Sequence, residues 1–226
     1  MESLYTDKEY EEAKKKWETF KYNIINKNRF FSGKTIIKDL DIITKECIEI
    51  DNSTYKGSID FYRARIGDFK NAPNKELLAP PNYLAKEGRC NPEWISYLYL
   101  CSDIETAISE VKPSEGELVT VARIEINDNC KFFKFNVNDV QEGKYRALIN
   151  VIDEDLSQVI TANEKMSYIP FQFISEYIKN KGYSGFIYSS AVGDGLNYLI
   201  YEPKDIQVIS RELFHIKEVK YYFEKI

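Results

Sequence analysis

The chain has 226 residues, 31 Lys and Arg against 36 Asp and Glu, a formal net charge of −5, four Cys and one His. A hydrophobic share of 43%, with 17 Tyr and 13 Phe, excludes a disordered chain and suits one large domain or one domain with a terminal extension. The acidic balance argues against an extended nucleic-acid footprint, and a single His leaves little room for His-dependent catalysis or a multi-His metal site.

Cys47, Cys90, Cys101 and Cys130 form no C-x-x-C pair, and in a chain with a full core they read as reduced thiols. No apolar run approaches the ~18 residues of a membrane span. The N-terminal stretch, with its Lys14-Lys15-Lys16 run, lacks the apolar segment of a signal peptide. These features point to a cytoplasmic protein, which leaves the sequon Asn52-Ser53-Thr54 without secretory context.

Residues 6–27 carry Tyr10, Ala13, Trp17, Phe20 and Ile24 or Ile25 at helical steps, an amphipathic helix whose Lys14–Lys16 run is a solvated face. After the Asn28-Arg29-Phe30-Phe31 corner and a Ser32-Gly33 turn, a second helical stretch covers about 34–46. Turn formers at Asp51-Asn52-Ser53 mark a break, dividing an N-terminal helical extension (1–55) from the main body (56–226). A strand is expected at 59–66 and a polar loop at 67–93. A short strand follows at 97–100, then a helix that Ser102 caps with Glu105 and Pro113 ends. Further strands are expected at 117–126 and 131–136, and helices at 144–160 and 170–180, the last starting beside Pro170 and stopping at Gly182. Short strands close the chain at 186–189, 198–201 and 207–210, with an alternating stretch over 213–223. Strands and helices mix without a βαβ beat, so the class is α+β.

Two motif fragments carry no chemistry. Gly33-Lys34-Thr35 resembles a P-loop tail, but the glycine required five positions earlier is Asn28. Gly193-Asp194-Gly195 is a hairpin turn, and His215, in an alternating apolar stretch, reads as structural.

Three blocks differ from routine core or turn sequence. They are Gly88-Arg89-Cys90-Asn91-Pro92 leading into Tyr97-Leu98-Tyr99-Leu100, the segment Asp103 to Val111 with Glu105 and Glu110, and Gly182 to Ser190 followed by Gly195-Leu196-Asn197-Tyr198. With Phe61-Tyr62-Arg63-Ala64-Arg65 they resemble, over about residues 59–205, the RES domain, the toxin of Xre–RES toxin–antitoxin pairs. The resemblance implies an ADP-ribosyltransferase-like split β-sheet core with flanking helices. It implies an enzyme that destroys NAD+ by breaking the nicotinamide–ribose bond, a phosphorylase or a glycohydrolase with phosphate or water as acceptor. NAD+ enters as substrate, so no separate cofactor and no metal is implied.

On matching positions the resemblance makes Arg89, Tyr99, Glu110 and Ser190 catalytic, with Ser189 the rival serine, and assigns Arg63 and Asn197 to NAD+ binding. These residue types suit the chemistry. An acid such as Glu110 stabilises an oxocarbenium-like carbon or orients water, arginine matches phosphate, and tyrosine stacks on nicotinamide. Arg63 and Arg65 share a strand face, and at most one is expected in the site. Without the resemblance each residue has a plainer reading: Glu110 lies off the apolar stripe of its helix, Arg89 sits in a surface loop, and Tyr99 alternates with Tyr97. Cys90 stands where the family usually has an aromatic residue, Trp94 where a turn glycine is common, and no arginine closely follows Ser190. An Xre-type antitoxin is the implied partner, with residues 1–55 read as a helical cap or as a surface for that antitoxin or an oligomer partner. Neither nucleic acid nor membrane is expected as a partner. Transfer of ADP-ribose to a macromolecule, and an inactive NAD-binding module, are the competing readings.

Overall fold

The computed structural model describes residues 4–31, 33–51, 60–126, 129–160 and 162–220. Ser32, the start of the strand expected at 59, the sequon, the break beyond Asp51 and the chain past 220 lie outside the described residues.

Helix α1 (Asp7–Asn26) begins with a capping box: the Glu9 N–H donates to Thr6 Oγ1 at 3.2 Å and the Thr6 N–H to Glu9 Oε2 at 2.8 Å. Its stripe of Ala13, Trp17, Phe20 and Ile24 is buried. Helix α2 (Lys34–Glu46) buries Ile36, Leu40 and Ile43 against it. There follow β1 (Ile50–Asp51), β2 (Phe61–Ile66), β3 (Leu98–Cys101), α3 (Ile104–Val111), β4 (Leu118–Ile126), β5 (Lys131–Lys134), α4 (Gly143–Leu156), α5 (Ile169–Asn180), β6 (Gly185–Ser189), β7 (Leu196–Ile200) and β8 (Ile206–His215). The architecture is the expected α+β, one mixed sheet in the order β1-β5-β6-β7-β3-β2-β4-β8. Only β5 and β6 pair in parallel among the described strands.

One sheet face is covered in two places. Over the half from β5 to β3, Tyr99, Phe133, Phe186 and Leu199 share a core with α1, α2, α4 and α5. Over the other half, Ala64, Cys101, Val119 and Val121 pack against Ala107, Ile104 and Ile108 of α3. The opposite face is closed by Leu77, Leu78 and Phe69 from the long 67–93 connection. The gap between the two coverings on the first face is where the site forms.

Three expectations change. The α3 cap is Asp103, whose Oδ1 accepts the Thr106 N–H at 2.7 Å, because the hydroxyl of Ser102 is engaged by the Leu196 N–H of β7 at 2.9 Å. Helix α4 stops at Leu156, before the expected 160. The last two expected strands are one, β8, running the length of β4. Its middle is polar because Arg211 turns out to hold the carbonyls of Phe69, Lys70 and Ala72, which hides the strand from a hydrophobic-pattern reading. His215 is exposed at the end of this edge strand.

Gly185 marks a close approach between β6 and its neighbours in the sheet. A Cβ there would lie 2.2 Å from the Leu199 carbonyl oxygen and 2.6 Å from the Phe132 ring. Gly185→Ala should therefore cost about 1–3 kcal/mol, read as a lowered unfolding midpoint in thermal or urea melts. An unchanged midpoint would show that β6 and β7 can separate freely.

Candidate active site

Paired residues of neighbouring strands share a face, and the register sets Tyr188, Asn197, Cys101 and Tyr62 in one row across β6, β7, β3 and β2. Tyr99, two residues before Cys101, points to the same side. Strands β2 and β3 pair only at Tyr62↔Cys101 and then part, splitting the sheet. Arg63 bridges the split, its Nη1 donating to the Tyr99 carbonyl at 2.8 Å. A pocket of about 230 Å3 opens there. Arg63, Tyr99, Tyr188 and Asn197 form its floor, and Ala107, Glu110 and Val111 of α3 form one wall.

Glu110 sits in the last turn of α3, where the helix dipole disfavours a negative charge. Two donors offset this: Ser190 Oγ at 2.7 Å and Asn197 Nδ2 at 2.6 Å, both to Oε1. Ser190 is itself held, since its oxygen accepts the N–H groups of Val192 at 3.2 Å and Gly193 at 3.1 Å. The loop it starts is docked on α3 through the Gly195 N–H to Thr106 Oγ1 at 3.1 Å. A side chain at Gly195 would collide with Asp103 and Thr106, so a glycine is needed for that approach. Asn197 is fixed from behind by the Cys101 thiol, which donates to its Oδ1 at 3.3 Å. Burial and the nearby Glu110 carboxylate push the Cys101 thiol up to about 12, so it remains a donor. Burial, with Arg65 nearby, pushes the Arg63 guanidinium down to about 10, which still leaves it a cation at neutral pH. Its Nε is buried without a hydrogen-bond partner.

The structure thus brings Tyr99, Glu110, Ser190, Asn197 and Arg63 together. Ser189 alternates with Tyr188 along β6 and faces the other side of the sheet. Arg65 turns away to Glu76 and stacks on Phe69. Arg89 is beside the pocket without lining it: Nη1 donates to the Leu156 carbonyl at 2.6 Å and Nη2 to that of Gln158 at 2.8 Å, at the C-terminal end of α4. Its loop is nonetheless bound to the site, because the Tyr99 hydroxyl donates to Asn91 Oδ1 at 2.7 Å and accepts the Cys90 N–H at 3.3 Å. Trp94 takes a left-handed φ of 66°, the conformation a glycine adopts freely.

Two residues escaped sequence reasoning. Asn91 organises the Arg89 loop, its Nδ2 donating to the carbonyls of Lys86, Pro92 and Ile95. Tyr188 is 5% exposed, lines the pocket, and its hydroxyl has no hydrogen-bond partner among the described residues. Burial pushes its phenol well up, so it offers a neutral donor to a ligand. Its place in an apolar β pattern made it look like ordinary core, and no sequence signal marks it out.

A larger groove of about 930 Å3 runs along the other flank of α3, past Tyr62, Asp103, Glu105 and Asp194. No Lys or Arg lines it, which sets it apart from the pocket of Arg63. Among the described residues no group of three or more His, Cys, Asp or Glu is placed to hold a metal ion, and no helix is long and apolar enough to cross a membrane.

The chain thus combines a split mixed sheet with a glutamate held by a serine and an asparagine. Residues 60–221 match the family model described as the RES domain, and the chain is a member of that family. Among solved structures it is similar to a chain of the crystal structure of the M. tuberculosis MbcT–MbcA toxin–antitoxin complex, at 14% identity and a TM-score of 0.48. That match covers 78% of this chain and 91% of the other. No curated protein matches the chain.

Proposed function

We propose that the protein cleaves the bond between nicotinamide and ribose in NAD+, and that it acts as a growth-arresting toxin neutralised by a protein antitoxin. Membership of the RES family supports the role as toxin. The observation that carries the chemistry is the Glu110 carboxylate, fixed by Ser190 and Asn197 at a pocket that also holds two tyrosines and an arginine.

At about 230 Å3 the pocket suits a ring and a sugar, not a whole dinucleotide. In this reading the nicotinamide riboside end enters, and the Tyr99 and Tyr188 rings flank it and keep water out. As the C–N bond breaks, its electron pair leaves with nicotinamide and the positive charge moves to the ribose carbon. The leaving group is already cationic and needs no proton donor. Glu110 stabilises the charge that develops on the sugar, and Arg63 disfavours the positive charge that the pyridinium carries before the bond breaks and loses as nicotinamide departs; both act in the direction of cleavage. An oxygen of water or phosphate then bonds to the carbon, and in the hydrolytic case the attacking water loses its proton to solvent or to Glu110.

The test is incubation of the purified chain with NAD+, with and without inorganic phosphate, and resolution of products by mass. Nicotinamide together with ADP-ribose or its 1″-phosphate is the expected result. ADP-ribose found on a macromolecule would favour the transferase reading, and NAD+ binding without loss would favour the inactive module.

A further inference from the structure

The corner joining α1 to α2 has no part in the site. Phe30 and Phe31 are 80% and 77% exposed there, and Tyr22 is 57% exposed. The turn is nonetheless built: Asn28 Oδ1 accepts the N–H groups of Phe30 at 3.2 Å and Phe31 at 3.0 Å. Gly33 is seated so closely that a Cβ would lie 2.5 Å from the Phe173 ring of α5. Adjacent aromatic rings held outward on an ordered turn are unusual on a protein surface and mark contact with another phase or partner.

Charge identifies the occupant. In a chain of net charge −5, no Asp or Glu occurs between residues 19 and 38. Lys27, Arg29, Lys34 and Lys38, which flank the two rings in sequence, are all exposed; Lys27 lies over the Tyr22 ring, and none of the four is in an ion pair among the described residues. The surface is therefore apolar at its tip and cationic at its rim. A second copy would set two cationic rims against each other. Single-stranded nucleic acid calls for rings along the floor of a basic groove, whereas these rings project. We propose that this corner docks the protein on an anionic phospholipid bilayer, with Phe30 and Phe31 entering below the headgroups and Lys27, Arg29, Lys34 and Lys38 meeting lipid phosphates.

The test is flotation of the full chain with vesicles of phosphatidylcholine alone or mixed with phosphatidylglycerol. Binding to the mixed vesicles, weakened by salt and absent from the neutral ones, is expected. Phe30→Ser with Phe31→Ser should weaken binding about tenfold per ring, and Lys27→Gln with Arg29→Gln about fivefold per charge. Because these side chains are exposed, both variants should keep the parental melting temperature and NAD+ turnover in solution. No binding to anionic vesicles, equal binding to neutral ones, or binding indifferent to both variants would overturn the proposal. So would a dimer in size-exclusion chromatography that Phe30→Ser with Phe31→Ser dissolves, or displacement of the vesicles by single-stranded RNA at equal charge.

Discussion

Glu110→Gln is expected to lower NAD+ turnover by about 10^2–10^3-fold, the range for loss of one preorganised group facing developing charge. The substitution removes charge and leaves shape. A glutamine Oε1 still accepts from Ser190 Oγ and Asn197 Nδ2, so the loop after β6 and the end of α3 keep their anchor. The side chain is exposed, and its neutral form adds no buried unpaired group. The expected result is a loss in kcat, measured by NAD+ consumption, with the thermal melt of the parent. Undiminished turnover would remove Glu110 from the chemistry. Lost turnover together with a lowered melt would make its role structural.

The second large effect is expected far from the pocket. Trp17 of α1 is fully buried, 5.3 Å from the Phe20 ring and 6.0 Å from that of Phe171, centroid to centroid. Its Nε1 donates at 2.7 Å to Asp155 Oδ2, which Lys21 also holds at 3.0 Å. Trp17→Ala should cost about 3–5 kcal/mol through the cavity left behind. For a chain of this size that lowers Tm by roughly 10 °C. Asp155 adjoins Leu156, whose carbonyl receives Arg89, so the variant should also lose turnover at temperatures where it is still folded. Trp17→Phe, which keeps most of the bulk and loses the N–H, should fall between. A shift of less than about 2 °C for the alanine variant would mean that the N-terminal helices contribute little to the body.

Local order was legible in the sequence wherever one periodicity ran uninterrupted. The α1 stripe of Ala13, Trp17, Phe20 and Ile24 falls at helical spacing, and α2 and α5 lie within a residue of expectation. Legibility failed where a polar residue answers to something distant. Ser102 and Asp103 are both good caps, and the choice between them is made by β7, nearly a hundred residues on. Arg211 interrupts β8 because a loop after β2 needs a donor. The order of the sheet, with β3 between β2 and β7, rests on long-range pairing that spacing cannot reveal. The site was legible only through the family resemblance, because Glu110 by itself reads as a solvated residue. Tyr188 and Asn91 stayed hidden, since their importance lies in a hydroxyl without a partner among the described residues and in three carbonyls brought together by the fold.

The sparse join between β2 and β3 has a mechanical consequence. With Tyr62↔Cys101 as the only β2–β3 rung among the described residues, Arg63 reaching the Tyr99 carbonyl and Ser190 and Asn197 reaching Glu110 join the two sides alongside the apolar core they share. The groups proposed for chemistry are thus also the latch of a seam. A ligand that recruits Glu110 would have to compete with Ser190 and Asn197 for it, so occupancy of the cleft and the hold across the seam would draw on the same few hydrogen bonds.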